Sequence, residues 1–237
     1  MDFIAGEILY FNKPLDWTSF DLVNKFRHTL SRKLNVRKIK VGHAGTLDPK
    51  ATGVMILCTG KATKRIEEFQ YQTKEYVATL KLGETTPSFD LEKEVDRTYP
   101  VDHVTCEMVR ETLTKFTGEI RQIPPAFSAC KINGKRAYEL ARKGKETSLK
   151  AKTLVIDTIE LLTCALPVIQ IRVICSKGTY IRALARDIGI ALHSGAHLTA
   201  LQRTRIGDVT LDKCLLADRM DDFLENVIIK TIEDETV

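Results

Sequence analysis

Strand-like and helix-like stretches follow one another in this chain without a steady rhythm, and that irregularity limits its fold more than any other feature. Residues 75–82 alternate cleanly, with Tyr76, Ala78, Leu80 and Leu82 on one face, the period-two pattern of a half-buried strand. Two further β-rich segments run from Leu154 to Thr163 and from Val168 to Cys175. Gly6 to Phe11 and Gly53 to Thr59 read as short apolar strands. Elsewhere the spacing is helical: Phe20, Val23, Phe26 and Leu30 behind a cap at Thr18 or Ser19, then Cys106 to Phe116, Arg136 to Lys143, Thr179 to Leu192 and about Ala217 to Val227. No repeating strand–helix–strand unit emerges. The reading is therefore α+β, with a mixed, mostly antiparallel sheet flanked by helices and loops. At 237 residues, 43% of them hydrophobic, the chain can bury a core without disulfides or metals.

Charge is unevenly spread. From Asp218 to Val237 there are seven acids and two bases, so a net +5 overall leaves +10 on residues 1 to 217. Seven bases and no carboxylate lie between Asp21 and Asp48, and a second basic cluster covers residues 130 to 152. Either cluster alone fits a solvated helix face. The two together favour a polyanionic partner, nucleic acid above all. The six cysteines show no CxxC pair, which argues against zinc. Read as reduced, buried thiols, they imply a cytosolic setting. The N-terminus, with Asp2 and Glu7, argues against a signal or transit peptide, and no window is long and apolar enough to cross a membrane.

Three stretches offer chemistry. In Gly42-His43-Ala44-Gly45-Thr46-Leu47-Asp48-Pro49, glycines permit close approach and Pro49 biases Asp48 towards extended backbone. Asp48 fits both a turn aspartate and a nucleophile or base. In Cys175 to Arg182 a strand passes through a Lys-Gly turn into a helix. Arg182 then sits in the first helical turn, where a cation opposes the helix dipole unless an anion answers it. The third stretch, Gly195 to Gly207, is short, basic and glycine-bounded. His43 and His197 read as structural histidines or phosphate contacts.

At these residues the chain resembles the TruB family of tRNA pseudouridine synthases. The matching stretches, in family order, are Gly6 to Ser19, Lys40 to Met55, Lys74 to Leu82, Gln122 to Gly144, Cys175 to Gly189 and Gly195 to Gly207. The resemblance implies a pseudouridine synthase fold forming one catalytic domain over residues 1–237, with a basic RNA-clasping insertion at about 124–152 and an acidic helix and tail at about 217–237. It implies Asp48 as the catalytic carboxylate, Tyr76 stacked on the target base, and Arg182 paired with Asp48. Tyr180 and Leu201 would line the uracil pocket, His43 would enter the tRNA T-loop, and Lys13 would lie near the active site. The expected substrate is the T-stem-loop of tRNA, at position 55. The expected enzyme needs no cofactor and no metal. Many relatives carry a C-terminal PUA domain, for which the thirty residues after Gly207 are too few. A stand-alone, monomeric, cytoplasmic enzyme without guide RNA is the corresponding expectation. Two departures stand out. Asp16 occupies a usual glycine, and residues 84–90 alter the family's pattern after Leu82-Gly83, so no role is carried over to them.

Overall fold

The computed structural model describes residues 1–128, 130–132, 134–141 and 149–230. In chain order the elements are β1 (Ile8–Lys13), α1 (Ser19–Lys33), β2 (Val41–His43), β3 (Ala51–Thr59), a 3-10 turn (Gly60–Arg65), α2 (Ile66–Tyr71), β4 (Lys74–Leu82), β5 (Glu84–Thr85), β6 (Arg97–Thr98), α3 (Cys106–Thr114) and β7 (Gly118–Gln122). There follow β8 (Lys131–Ile132), β9 (Lys135–Arg136), α4 (Ala137–Ala141), β10 (Lys152–Ala165), β11 (Val168–Cys175), α5 (Ile181–Ala191), β12 (Ala196–Ile206), β13 (Val209–Thr210), β14 (Leu215–Leu216) and α6 (Met220–Asn226). The α+β reading stands. The chain divides into two compact units, Met1–Lys74 with Gln202–Val237, and Glu75–Leu201.

In the first unit the strand order is β14-β1-β3-β12, with β2 on β3 and β13 on β12. β1 is parallel to β14 and antiparallel to β3, where Phe11 lies opposite Met55 and Lys13 opposite Gly53. α1 starts at a capping box: the Thr18 hydroxyl accepts from the Asp21 N–H (3.1 Å) and the Asp21 carboxylate accepts from the Thr18 N–H (2.8 Å). Leu22, Val23, Phe26 and Leu30 of α1 bury against Phe3, Leu9, Phe11, Met55 and Leu57. α6 closes the same cluster with Met220 and Leu224. The C-terminal stretch is thus half acidic surface and half core wall, although 231–237 lie outside the described residues.

In the second unit the order is β12-β4-β11-β10-β7. β10 is antiparallel to both β11 and β7, with Gln122 opposite Lys152. Tyr76, Ala78, Leu80 and Leu82 are all buried, as are Ile169, Ile171, Val173 and Cys175, so the period-two reading of both strands is right. α5 packs through Ile181, Leu184 and Ile188. Gly189 lets it do so, because a side chain there would overlap the backbone of Gly195 and Ala196. Of the basic insertion, β8 and β9 form a small ladder followed by α4. Residues 129, 133 and 142–148 lie outside the described residues, and several of its bases fall there.

Two sequence expectations need correction. Val41 to Asp48, whose glycines read as a loop, is not all loop, because Val41–His43 pairs with β3. Gly42 there serves close packing: a Cβ would come 2.6 Å from Cδ1 of Ile66. The six cysteines are also not all free, since Cys106 and Cys164 form a disulfide. α3 begins at Cys106 and packs on β10, which ends beside Cys164, so tertiary packing joins thiols 58 residues apart. Cys58, Cys130, Cys175 and Cys214 remain thiols outside that disulfide.

Candidate active site

The loop that carries Asp48 is pinned along its length by the first unit. Its entry is fixed by the Ala44 N–H donating to the Ile56 carbonyl (2.9 Å). Gly45 turns at φ +91°, open to glycine at little cost, and its carbonyl accepts from Nη2 of Arg203 (3.1 Å). The Ser19 hydroxyl holds Leu47 twice, accepting from its N–H (2.8 Å) and donating to its carbonyl (3.0 Å). Past Asp48, the Ala51 N–H donates to the Asp48 carbonyl and the Asp16 N–H to the Pro49 carbonyl (2.9 Å). Asp16 adopts φ +62°. This left-handed geometry explains how Asp, which tolerates it better than most residues, replaces glycine here. Its carboxylate also pairs with Lys50 at 2.7 Å.

Beneath the loop lie two buried cations. Arg203 is 1% exposed and donates through Nε to the Val54 carbonyl (2.8 Å). Lys13 is fully buried and donates to the carbonyls of Pro14 (2.8 Å) and Trp17 (2.5 Å). Burial pulls the Lys13 ammonium down to about 8, against the opposing pull of the Asp48 charge and, more weakly, of Asp16. His43 is half-buried, and its Nδ1 has no hydrogen-bond partner among the described residues. Burial first, and then the Arg203 charge, lower its pKa, so the ring is neutral at pH 7. Lys13 thus feels the charges of both Asp48 and Arg203, and His43 feels that of Arg203.

Tyr76, Tyr180, Arg182 and Leu201 belong to the second unit. Tyr76 lies near the start of β4 and Leu201 on β12, both buried. Tyr180 is the N-cap of α5, and its hydroxyl meets the Cys130 thiol at 3.2 Å. Arg182 is buried in the first turn. Its Nη1 donates to the Ser88 carbonyl (3.2 Å), its Nη2 to the Phe127 carbonyl (2.9 Å), and its Nε lies 3.6 Å from Oδ2 of Asp90. A buried carboxylate thus faces the cation that the helix dipole opposes.

The altered segment builds this partner. The Thr86 and Ser88 hydroxyls both donate to the Asp90 carbonyl (2.7 and 3.2 Å), and Phe89 turns at φ +63°. The resulting tight turn presents the Ser88 carbonyl and the Asp90 carboxylate to Arg182. Sequence reading missed Asp90, Arg203, Ser19 and Gln122. Gln122 opens one of the matched stretches, whereas Asp90 lies in the altered segment, to which no role is carried over. Arg203 is masked by its basic surroundings. Among the described residues no cluster of His, Cys, Asp or Glu could hold a metal ion.

The sequence profile of the TruB family pseudouridylate synthase N-terminal domain matches residues 31–181, and the chain belongs to that family. The tRNA pseudouridine synthase B of Parabacteroides distasonis is 76% identical over 235 residues, covering 99% of this chain and all of the relative. The protein of the same name from Flavobacterium johnsoniae is 50% identical over 208 residues, covering 87% and 91%. Among solved structures, a chain of a Cbf5-Nop10-Gar1 complex is similar at TM-score 0.70 and 29% identity, covering 93% of this chain. A chain of an H/ACA RNP bound to a substrate RNA reaches 0.67 and 27%, also covering 93%. This chain spans only about 55% and 54% of those two structures.

Proposed function

We propose that this protein isomerises uridine to pseudouridine at position 55 in the T-loop of tRNA, with Asp48 as the catalytic carboxylate. The observation that carries the reading is full-length 76% identity to a tRNA pseudouridine synthase B in a chain whose Asp48 loop is fixed at nearly every residue. The reaction breaks N1–C1′, turns the uracil and joins C5 to C1′; C5 then loses a proton, and N1 gains one. No redox partner or energy source enters the balance. The target nucleotide must leave its stack first. Tyr76 then holds the base, stacking being worth roughly 1–3 kcal/mol. Asp48 opens the reaction at the ribose, at C1′ or at the C2′ proton. Arg182 is the guanidinium partner of the reaction, Tyr180 and Leu201 line the uracil, and Lys13 and His43 serve the Asp48 side and the T-loop.

The remaining assignments belong to the same proposal. The enzyme acts as a monomer without guide RNA or cofactor, over a single catalytic domain, in the cytoplasm where tRNA is processed. The +10 body of the chain supports binding to RNA backbone. No helix among the described residues is long and apolar enough to cross a membrane.

The test uses one unmodified tRNA transcript, with nucleoside analysis and mapping of the product. Wild type converts one uridine in the T-loop. Asp48→Asn keeps tRNA affinity within about threefold and loses at least about a thousandfold in kcat. An abasic site in place of pseudouridine, or substantial product from Asp48→Asn, overturns the reading.

A further inference from the structure

Tyr180 and Arg182 both hang on the first turn of α5, and that turn starts without a side-chain cap. Tyr180 is extended, at φ −100° and ψ 107°, and its side chain makes no capping bond. The turn before it is built around Gly178 at φ +88° and is closed by the Thr179 hydroxyl donating to the Ser176 carbonyl (3.0 Å). The helix itself contributes the Leu184 N–H to the Tyr180 carbonyl (3.0 Å). Further support for the Tyr180 main chain comes from Gln122, 58 residues away. Its Oε1 accepts from the Tyr180 N–H (2.9 Å), and its Nε2 donates to the Tyr180 carbonyl (3.2 Å).

The sequence around Gln122 explains why a side chain does this. Gln122 ends β7, held in register opposite Lys152, and is fully buried. Pro124 and Pro125 follow. Neither has an N–H, so the main chain cannot extend a ladder along the start of α5. The Gln122 amide has the donor and acceptor of a peptide group and takes that place. Two bonds from one planar group fix rotation as well as distance, which a single bond does not. Bonds in the reverse direction complete the seam: Nη2 of Arg182 to the Phe127 carbonyl (2.9 Å) and Nη2 of Arg186 to the Ile123 carbonyl (3.1 Å).

We propose that Gln122 is a positioning residue of the reaction: its buried amide sets the main chain of Tyr180, and through it the direction in which α5 presents Tyr180 and Arg182. The proposal rests on the roles given above to those two residues. It differs from a purely structural role in what it moves. A structural glutamine affects the folded fraction, whereas a positioning one affects kcat in molecules that remain folded.

The test is Gln122→Glu, with Gln122→Met as an apolar partner of similar length, measured in the full-length enzyme on a tRNA transcript. An ionised Glu accepts from the Tyr180 N–H but cannot donate to its carbonyl. Protonated Glu can do both, and burial raises its pKa. At about pH 8 we expect kcat of Gln122→Glu to fall at least about tenfold with KM within threefold, since small misplacements cost rate first. Relative to wild type at each pH, the variant recovers several-fold by about pH 6. Gln122→Met shows the loss with no recovery. The proposal is overturned if the variant-to-wild-type ratio is flat with pH, if soluble Gln122→Met keeps wild-type kcat, or if melting curves show that unfolded protein accounts for the loss. Failure of the underlying reading looks different: wild type itself makes no pseudouridine at any pH, which removes both.

Discussion

The Asp48 loop and the start of α5 are both immobilised, but by opposite means. The loop is held mainly by neutral contacts spread over many partners: backbone bonds to Ile56 and Ala51, the Ser19 hydroxyl on Leu47, and the backbone of Asp16. Arg203, a buried cation, also braces it, bonding carbonyls through Nε and Nη2. The start of α5 relies on a few concentrated contacts, namely the Gln122 amide and a buried arginine facing Asp90. A distributed restraint degrades gradually when one member is lost. A concentrated one fails at a single residue, because an uncompensated buried charge is expensive. The first design suits a loop that, in the proposed reaction, presents one carboxylate at a fixed angle. The second suits an element whose cation needs a defined counter-charge.

Asp90→Asn attacks the concentrated side and should have the largest effect on stability. It keeps the shape and removes a buried charge that faces Arg182, so we expect a loss of roughly 3 kcal/mol in denaturant unfolding, together with lower turnover. An unchanged midpoint would show that the other partners of Arg182, the carbonyls of Ser88 and Phe127 among them, suffice. Ser19→Ala attacks the distributed side. It removes two bonds to Leu47 but leaves the others, and about 1–3 kcal/mol is expected. If it proves as costly as Asp90→Asn, the contrast between the two regions fails.

Lys13 sharpens the comparison through pH. Burial brings its pKa to about 8 from the usual 10.5, so between those values the unfolded chain holds more protons than the folded one. Stability contributed by this group therefore rises with pH across that window, by at most about 1.4 kcal/mol per unit. Comparing wild type with Lys13→Met from pH 7.5 to 10 reads it out: the difference should grow in favour of wild type. Over the same range turnover should fall as Asp48 loses its ammonium neighbour, so stability and activity part company. Parallel curves would show that Lys13 carries no such titration. The smallest effect belongs to Asp16→Gly. The Asp16–Lys50 pair is exposed, 61% for Asp16 and 39% for Lys50, so its loss costs about 1 kcal/mol or less by thermal melting. The glycine also accepts φ +62° more easily.

Local periodicity revealed much of the fold, and tertiary pairing explains the rest. β4 and β11 were legible because every second side chain is apolar and buried. β12 was not read as a strand, because Arg203 occupies a buried position in its alternation and a charge there disguises the inward face. The 3-10 turn and α2, covering residues 60–71, are short and rich in exposed charge, which leaves little periodic signal. The disulfide joins cysteines with no local pattern. In the site, the chemically reactive types were visible in the sequence, whereas their supports were not. Ser19, Gln122 and Asp90 act through contacts 28, 58 and about ninety residues distant. Composition cannot specify such distances.

The last described stretch, for all its acids, keeps the first unit from becoming sticky. Met220 and Leu224 are inside the core, and Phe223, Val227 and Ile229 pack on it from outside. The Met1 ammonium bonds the Ile228 carbonyl, and the Lys230 N–H bonds the Met1 carbonyl. Removing this cover would expose the aromatic and aliphatic face of α1 as a contiguous apolar patch, the kind of surface through which proteins aggregate. Its acids then have a second use: they face outward over that seam and give a greasy closure a water-soluble exterior.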